Sequence, residues 1–169
     1  MMELTVVEGD ITAQRVDAVV NAANRSMRGG GGVDGAIHRA GGSAVLEDCI
    51  ARFPDGLATG DAGWTTAGAM PARWVIHVVG PNYGAGEQDR SLLVSCYTRA
   101  LAVADELGAR SVAFPLVSAG VYAWPKDDAI DAAVSTLRST PTSTSIAEAR
   151  LVAFDHTTYA ALVAAAAGG

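Results

Sequence analysis

The sequence predicts an α/β fold with a mostly parallel sheet and helices on both faces, and three observations carry that prediction. Apolar runs of strand length alternate along the chain with amphipathic stretches of about ten or more residues, the pattern of crossover units. Runs such as Ala18-Val19-Val20-Asn21 and Trp74-Val75-Ile76-His77-Val78-Val79 do not alternate with polar residues, so they read as strands buried on both faces. Half of the 169 residues are hydrophobic and only 6% are aromatic, so the core is built mainly from Ala, Val, Leu and Ile. That suits Ala-rich helices layered on an apolar sheet.

The elements follow in order. Leu4-Thr5-Val6-Val7-Glu8 reads as a strand ending in the turn Gly9-Asp10-Ile11-Thr12, and 18–21 reads as a second strand. Four consecutive glycines, Gly29 to Gly32, precede helical stretches at about 33–40 and 43–53, the second opened by Ser43 as a candidate N-cap. Trp64-Thr65-Thr66 is a weaker strand candidate and 74–79 a strong one, closed by Gly80-Pro81-Asn82. Leu92, Leu93, Cys96, Tyr97, Ala100, Leu101 and Ala104 recur at helical spacing within 90–107, and Gly108 is the stop signal. Residues 111–117 read as a buried strand, and Pro125 stands where a helix of about 126–138 starts. Polar residues 140–145 read as a surface connection, 150–154 as the last strand and 157–167 as the last helix.

Composition bounds the function. The length fits one domain, and no composition break marks a linker. No run reaches the roughly 18 apolar residues of a membrane span, and Met1-Met2-Glu3 lacks the features of a signal peptide, so a cytoplasmic protein without membrane attachment is expected. Cys49 and Cys96 match no metal-ligand spacing and read as buried reduced thiols. The formal net charge of −6, with Lys126 as the one lysine, disfavours a nucleic-acid partner held by phosphate neutralisation. An anionic ligand is therefore expected at backbone amides and helix ends, which narrows the site to loops.

If the strands are parallel, their carboxyl ends carry the ligand, and four segments meet there: Asp10-Ile11, Asn21 to Asp34, Ser118 to Tyr122, and Phe154-Asp155. Four glycines in a row are costly unless a loop needs unusual dihedrals or close approach by a ligand. Amides left unpaired by such a loop and the following helix N-terminus suit phosphate. A flexible linker is the alternative, but an apolar strand and an apolar-periodic helix flank this loop. Gly30, Gly32 and Gly35 satisfy G-x-G-x-x-G, yet residues intervene after the strand and Glu47-Asp48 falls in a helical stretch, so a Rossmann dehydrogenase is disfavoured. Without a lysine after the glycines a Walker loop is excluded.

Individual residues keep open readings at this point. Asn21, placed at a strand end, either turns the backbone or contacts ligand. Asn24, directly before the glycine loop, either turns the backbone or offers its carboxamide to a sugar hydroxyl, the second reading being preferred. Asp34 either favours the positive end of a helix dipole or orients and deprotonates a water beside a bound diphosphate. His38, one turn on, is a packing or surface residue or faces the same way. Asp10 caps the turn after it or accepts from the amine of a base, and Phe154 is a core residue or a stacking face. His38, His77 and His156 form no matching metal set.

The ordered motifs Gly9-Asp10-Ile11-Thr12, Val16 to Asn24, Gly29 to Ala40, Val75-Ile76-His77-Val78-Val79-Gly80-Pro81 and Ser118-Ala119-Gly120-Val121-Tyr122 resemble the macrodomain family, most closely its MacroD-type branch, over nearly the whole chain. The resemblance implies a single domain over 1–169, a three-layer α/β/α sandwich with a mixed, mostly parallel central sheet. It implies binding of ADP-ribose and hydrolysis of ADP-ribose esters on Asp or Glu side chains and of O-acetyl-ADP-ribose, with no metal or redox cofactor. Asp10 would contact the adenine amine, Ile11 would pack nearby, and Phe154 would lie against the base. Gly30, Gly31, Gly32 and Val33, with Ser118, Ala119, Gly120, Val121 and Tyr122, would hold the diphosphate and distal ribose, Asn21 being grouped with these ligand contacts. Asn24 would position the distal ribose and Asp34 would activate or orient the attacking water, unless a substrate phosphate performs that step.

The sequence departs from the family at its second loop, where Ala119 lacks a hydroxyl and Ala123 lacks the freedom of glycine at φ > 0. No lysine stands near the loops to form an adduct. The expected partners are ADP-ribose, O-acetyl-ADP-ribose and ADP-ribosylated proteins, met by a monomer. The competing function is a non-catalytic reader of ADP-ribose.

Overall fold

A computed structural model describes residues 2–140 and 145–168. Among them six strands, β1 (Glu3–Glu8), β2 (Ala18–Ala23), β3 (Ala62–Thr66), β4 (Trp74–Val79), β5 (Ser111–Phe114) and β6 (Glu148–Ala153), form one sheet in the order β1-β6-β5-β2-β4-β3. Every neighbouring pair is parallel except β3 with β4, so the sheet is mixed with one antiparallel edge. The helices are α1 (Gly32–Gly41), α2 (Ser43–Arg52), α3 (Arg90–Leu107), α4 (Lys126–Ser139) and α5 (His156–Ala167).

Alternation along the strands sorts the sheet into two faces. Val19, Val75, Ala113 and Val152 turn toward Ile37 of α1, and Ala23 and Val79 toward Val45 and Cys49 of α2. Val20, Ile76, Val78, Val112, Phe114 and Leu151 pack against Leu93, Tyr97 and Leu101 of α3, Ala133 and Leu137 of α4 and Leu162 of α5. Three layers result, as expected. The strands β1, β6, β5 and β2 lie side by side and run the same way, so the four loops at their carboxyl ends share one edge.

Boundaries differ from expectation for local reasons. β5 stops at Phe114 rather than running to residue 117, because Pro115 has no N–H for the ladder. β2 runs on to Ala23, paired with β4 up to Val79, so Asn21 lies inside a strand and does not turn the backbone. Ser43 is the first residue of α2; the cap is Gly42, at φ 80. Asp155 caps α5, accepting from the Thr158 amide at 2.7 Å, so that helix begins at His156. Of the expected surface connection at 140–145, residues 141–144 lie outside the described residues.

Where β5 ends, a phenol takes over from the ladder. The Tyr97 hydroxyl accepts from the Val117 amide at 3.0 Å and donates to the Pro115 carbonyl at 3.4 Å, all within the core. Burial holds this hydroxyl well above the usual phenol range. It fixes the start of the 118–122 loop from inside. Tyr97→Phe leaves one amide and one carbonyl unpaired, and about 1–3 kcal/mol of folding stability is lost, read by urea denaturation.

Candidate functional site

The carboxyl-end edge is organised around a hydrogen-bond chain inside the protein. In the parallel register of β2 and β4, Asn21 stands beside His77, and both are fully buried. The Asn21 Nδ2 donates to Asp34 Oδ1 at 2.8 Å and lies 3.0 Å from His77 Nδ1. On the far side of the ring, Nε2 lies 2.8 Å from the Thr65 hydroxyl of β3, which donates to the Thr66 carbonyl at 3.0 Å, and 3.7 Å from Cys49 Sγ. An amide nitrogen has only protons to offer, so Nδ1 is the acceptor and the proton sits on Nε2, pointed at Thr65. Burial pushes the imidazole down to about 3, with His38 adding to it, so the ring is neutral at ordinary pH.

Asp34 is the cleft end of this chain. It occupies the first turn of α1 and is almost fully buried, and burial raises its carboxyl above the usual range against the opposing Asn21 hydrogen bond and His38 charge. His38, one turn along, brings Nε2 to 3.4 Å from Asp34 Oδ1, so of its two readings it takes the one that faces the site. The other carboxylate oxygen and Asn24 both border Gly30: a methyl built on Gly30 would lie 3.1 Å from Asp34 Oδ2 and 3.3 Å from Asn24 Nδ2. Two of the expected site residues thus converge on one point of the glycine loop. Asn24 is held there by Ser26, which donates to its Oδ1 at 2.6 Å, and by its own bond to the Gly29 carbonyl at 3.2 Å.

The glycine loop is a structured turn, so the linker alternative fails. Gly29 and Gly32 adopt φ of 93 and 59, and a methyl on Gly35 would meet the Gly30 carbonyl oxygen at 2.6 Å. The third glycine of the G-x-G-x-x-G pattern serves this close packing of loop on helix. Gly30, Gly31 and Gly32 are exposed, α1 begins with no side-chain cap, and Gly31 and Gly32 have open space beside them. The amides of an uncapped helix N-terminus favour an anion at that spot.

The second loop faces it. Ser118 is buried at φ 64 and Ala123 exposed at φ 61, with the Trp124 amide bonded to the Ser118 carbonyl at 2.9 Å. The Trp124 indole is buried edge-on against Tyr83 and donates to Asp128 at 2.9 Å, tying the loop to the first turn of α4. Gly80 must be glycine because a Cβ there would collide with Ser118 Oγ and Val117. Val121 at the loop tip is 88% exposed, and burial raises the Tyr122 phenol, with Glu87 adding to it.

At the other end of the edge, Asp10 and Phe154 terminate adjacent strands, joined by the Gly9 amide on the Ala153 carbonyl. Asp10 Oδ1 caps the short 3₁₀ turn after β1, accepting from the amide and hydroxyl of Thr12, so the capping alternative describes that oxygen. Ile11 is buried beneath it. Phe154 is 91% exposed, which removes the core reading and leaves its ring face free.

Comparison with known proteins places this geometry. The family model described as "Macro: Macro domain" matches residues 20–133. The chain belongs to the macrodomain family. A macro domain-containing protein of Streptomyces coelicolor is 55% identical over 97% of this chain and 98% of its own length. A protein of Pantoea vagans named O-acetyl-ADP-ribose deacetylase 1 is 42% identical over 94% of this chain and 95% of its own. Among solved structures, an Oceanobacillus iheyensis macrodomain with ADP superimposes with a TM-score of 0.89 at 34% identity, over 95% of this chain and 87% of that one.

In this macrodomain the sequence-derived residues fall into two groups. Asp10, Ile11, Asn24, Gly30 to Val33, Asp34, Ser118 to Tyr122 and Phe154 gather along one edge. Asn21 does not join them at the surface: its side chain is 0% exposed, so it stands behind Asp34 rather than against a ligand. Sequence reasoning missed His77 and Thr65 as parts of the site. The signal for His77 was a lone polar residue in an otherwise apolar strand. Cys49 and Cys96 are buried and unbridged as expected, with burial pushing the thiols up to about 11 and about 12. Among the described residues, no group of three or more His, Cys, Asp or Glu is placed to hold a metal ion.

Two outcomes follow from this geometry. The unfolded chain protonates His77 below its ordinary 6.5, whereas the folded protein holds it neutral down to about 3, so this group's stabilising contribution is present above pH 6.5 and is lost as pH falls toward 3. Urea denaturation at pH 7 and pH 5 should show a larger acid loss in the wild type than in His77→Gln, with a slope approaching one extra proton bound by the unfolded state. Ala123→Gly relieves a left-handed residue, so the melting temperature should rise by about 2–4 °C, corresponding to about 1 kcal/mol.

Proposed function

We propose that this chain binds ADP-ribose along the carboxyl-end edge and hydrolyses ADP-ribose esters, removing mono-ADP-ribose from Asp and Glu side chains of proteins and acetate from O-acetyl-ADP-ribose. The observation that carries the reading is the convergence of Asn24 Nδ2 and Asp34 Oδ2 on Gly30, beside the uncapped start of α1. The names of the Pantoea relative and the solved structure's ligand point the same way. In this reading Asp10, Ile11 and Phe154 receive the adenine. The amides of Gly30 to Val33 and the Ser118 to Tyr122 loop hold the diphosphate and distal ribose.

Asn24 positions the distal ribose so that its ester linkage faces the water oriented at Asp34. The water oxygen bonds to the ester carbonyl carbon as its proton passes to Asp34 or to a substrate phosphate, and the bond from that carbon to the ribose oxygen breaks as the same proton is delivered to the ribose oxygen. ADP-ribose and a free carboxylate leave. Burial raises the basicity of Asp34 toward working pH, which suits a group that accepts a proton and returns it. The proteins carrying the modification are the macromolecular partners, and the chain acts on them as a monomer.

The test measures ADP-ribose release from a protein modified on acidic residues, with calorimetry of ADP-ribose binding alongside. Asn24→Ala and Asp34→Ala should each lower kcat by roughly 100-fold or more, the scale of a positioned acid or base, while Asp34→Ala retains ADP-ribose binding. Unimpaired turnover in both variants removes the proposed roles. Tight binding by a wild type that releases nothing makes the chain a reader instead.

A further inference from the structure

We infer that Arg25 selects the protein substrate: it binds a carboxylate next to the modified residue, so that acidic peptide segments are the preferred protein esters. The inference rests on the binding mode and ester hydrolysis proposed above. Strand order supplies the direction. The adenine end lies at β1 and β6, the distal ribose lies at the end of β2, and the next strand along the sheet is β4. A group esterified to the distal ribose, continuing along that edge, meets the loop that follows β4, residues 80–89.

Three loops close that end of the cleft. Arg25 follows Asn24 directly, and its Nη1 donates to Glu87 Oε2 at 3.2 Å. Glu87 is held within its own surroundings: Oε1 accepts from the Asn82 amide at 2.9 Å, and Oε2 accepts from the Thr59 hydroxyl at 3.4 Å. The Gly84 amide donates to the Tyr122 carbonyl at 3.0 Å, which joins this loop to the second loop of the cleft. Burial raises the Tyr122 phenol first, and the charges of Glu87, Arg25 and Asp34 act on it as well, so the four groups stand around one end of the site. The backbone of Arg25 is fixed too. Its carbonyl accepts from the Leu57 amide at 3.0 Å, and a methyl on Gly56 would collide with that oxygen.

The guanidinium has room for a second carboxylate. The Arg25 side chain is 67% exposed, and among the described residues Glu87 is its one acceptor, on Nη1 alone. Nε and Nη2 are left without a protein partner, and the side-on fork of these two nitrogens matches the two oxygens of a carboxylate. Arg28, three residues on, is occupied by the carbonyls of Met27, Phe53 and Pro54. Against a formal net charge of −6, an acidic segment needs a local cation at the point where it docks. The acetyl group of O-acetyl-ADP-ribose brings no second carboxylate and gives Arg25 nothing to hold. A staple between two loops is the competing role for the Arg25–Glu87 pair, and an exposed pair of this kind adds little stability.

The test uses two peptides carrying ADP-ribose on the same glutamate, one flanked by Asp and Glu and the other by Ser and Gln, beside O-acetyl-ADP-ribose. Binding is measured by calorimetry in Asp34→Ala protein, so that the ester survives, and turnover is measured with Asp34 intact. The acidic peptide should bind about threefold to fivefold more tightly than the neutral one, the scale of an exposed charge pair, and high salt should remove most of the difference. Arg25→Gln should abolish the preference through KM, with kcat, turnover of O-acetyl-ADP-ribose and affinity for ADP-ribose unchanged within about twofold. Glu87→Gln breaks the pair but leaves the guanidinium, and should keep the preference. A wild type that binds both peptides equally overturns the inference. So does an Arg25→Gln protein that weakens every ligand alike, with Glu87→Gln doing the same, as loss of a staple would. Absence of turnover on every substrate overturns the hydrolytic activity, while the binding preference still decides the role of Arg25. Failure to bind ADP-ribose overturns both.

Discussion

One amide nitrogen ties the sheet to the helix that opens the cleft. Asn21 gives one proton to His77, its neighbour across the β2–β4 pairing, and the other to Asp34, in the first turn of α1. The glycine loop is the chain between those two attachments, so its ends cannot drift apart or rotate without unpairing buried polar groups. Each such group costs on the order of 1–3 kcal/mol when orphaned. A slip of one residue in β2 would turn Asn21 to the opposite face and put an apolar neighbour against the carboxylate. The position of the glycine loop therefore depends on the register of β2 against β4.

The two loops of the cleft meet their conformational demands differently. The first uses glycine at Gly29 and Gly32, where φ is positive, and at Gly35, where backbone must touch backbone, with the buried Met27 also at φ 58. The second keeps side chains at Ser118 and Ala123 in left-handed backbone. Such residues persist only when their surroundings over-determine them. Here Tyr97 clamps the entry, Trp124 anchors the exit on α4, and Gly80 leaves room for Ser118. The strain is local, and its supports come from the core.

The layering, and the meeting of most candidate residues at one edge of the sheet, were legible because they depend on short-range patterns. Unbroken apolar runs at 74–79 and 18–21 predict buried strands, and four glycines between a strand and a helix predict a loop that meets a ligand. Boundaries set by one residue's chemistry, such as the missing N–H of Pro115, were misjudged by a few positions. Asn21 was assigned to the ligand because the strand was ended too early; its burial becomes visible only when β2 is seen paired through Ala23. The His77 chain was hidden for a deeper reason. It joins residues 21, 34, 65 and 77 through strand register and a tautomer, and local composition carries neither.

The uncapped start of α1 has a consequence for ionic strength. An anion seated on amides of Gly30 to Val33 is held by fixed dipoles, and these neutralise no phosphate by releasing counterions as lysines would. The molecule as a whole carries a formal net charge of −6 and so repels the same ligand at long range. Added salt screens that repulsion over a Debye length of about 8 Å in physiological conditions while leaving the short contacts largely intact. Such a site keeps its affinity, or gains a little, as salt rises, the reverse of one assembled from basic side chains.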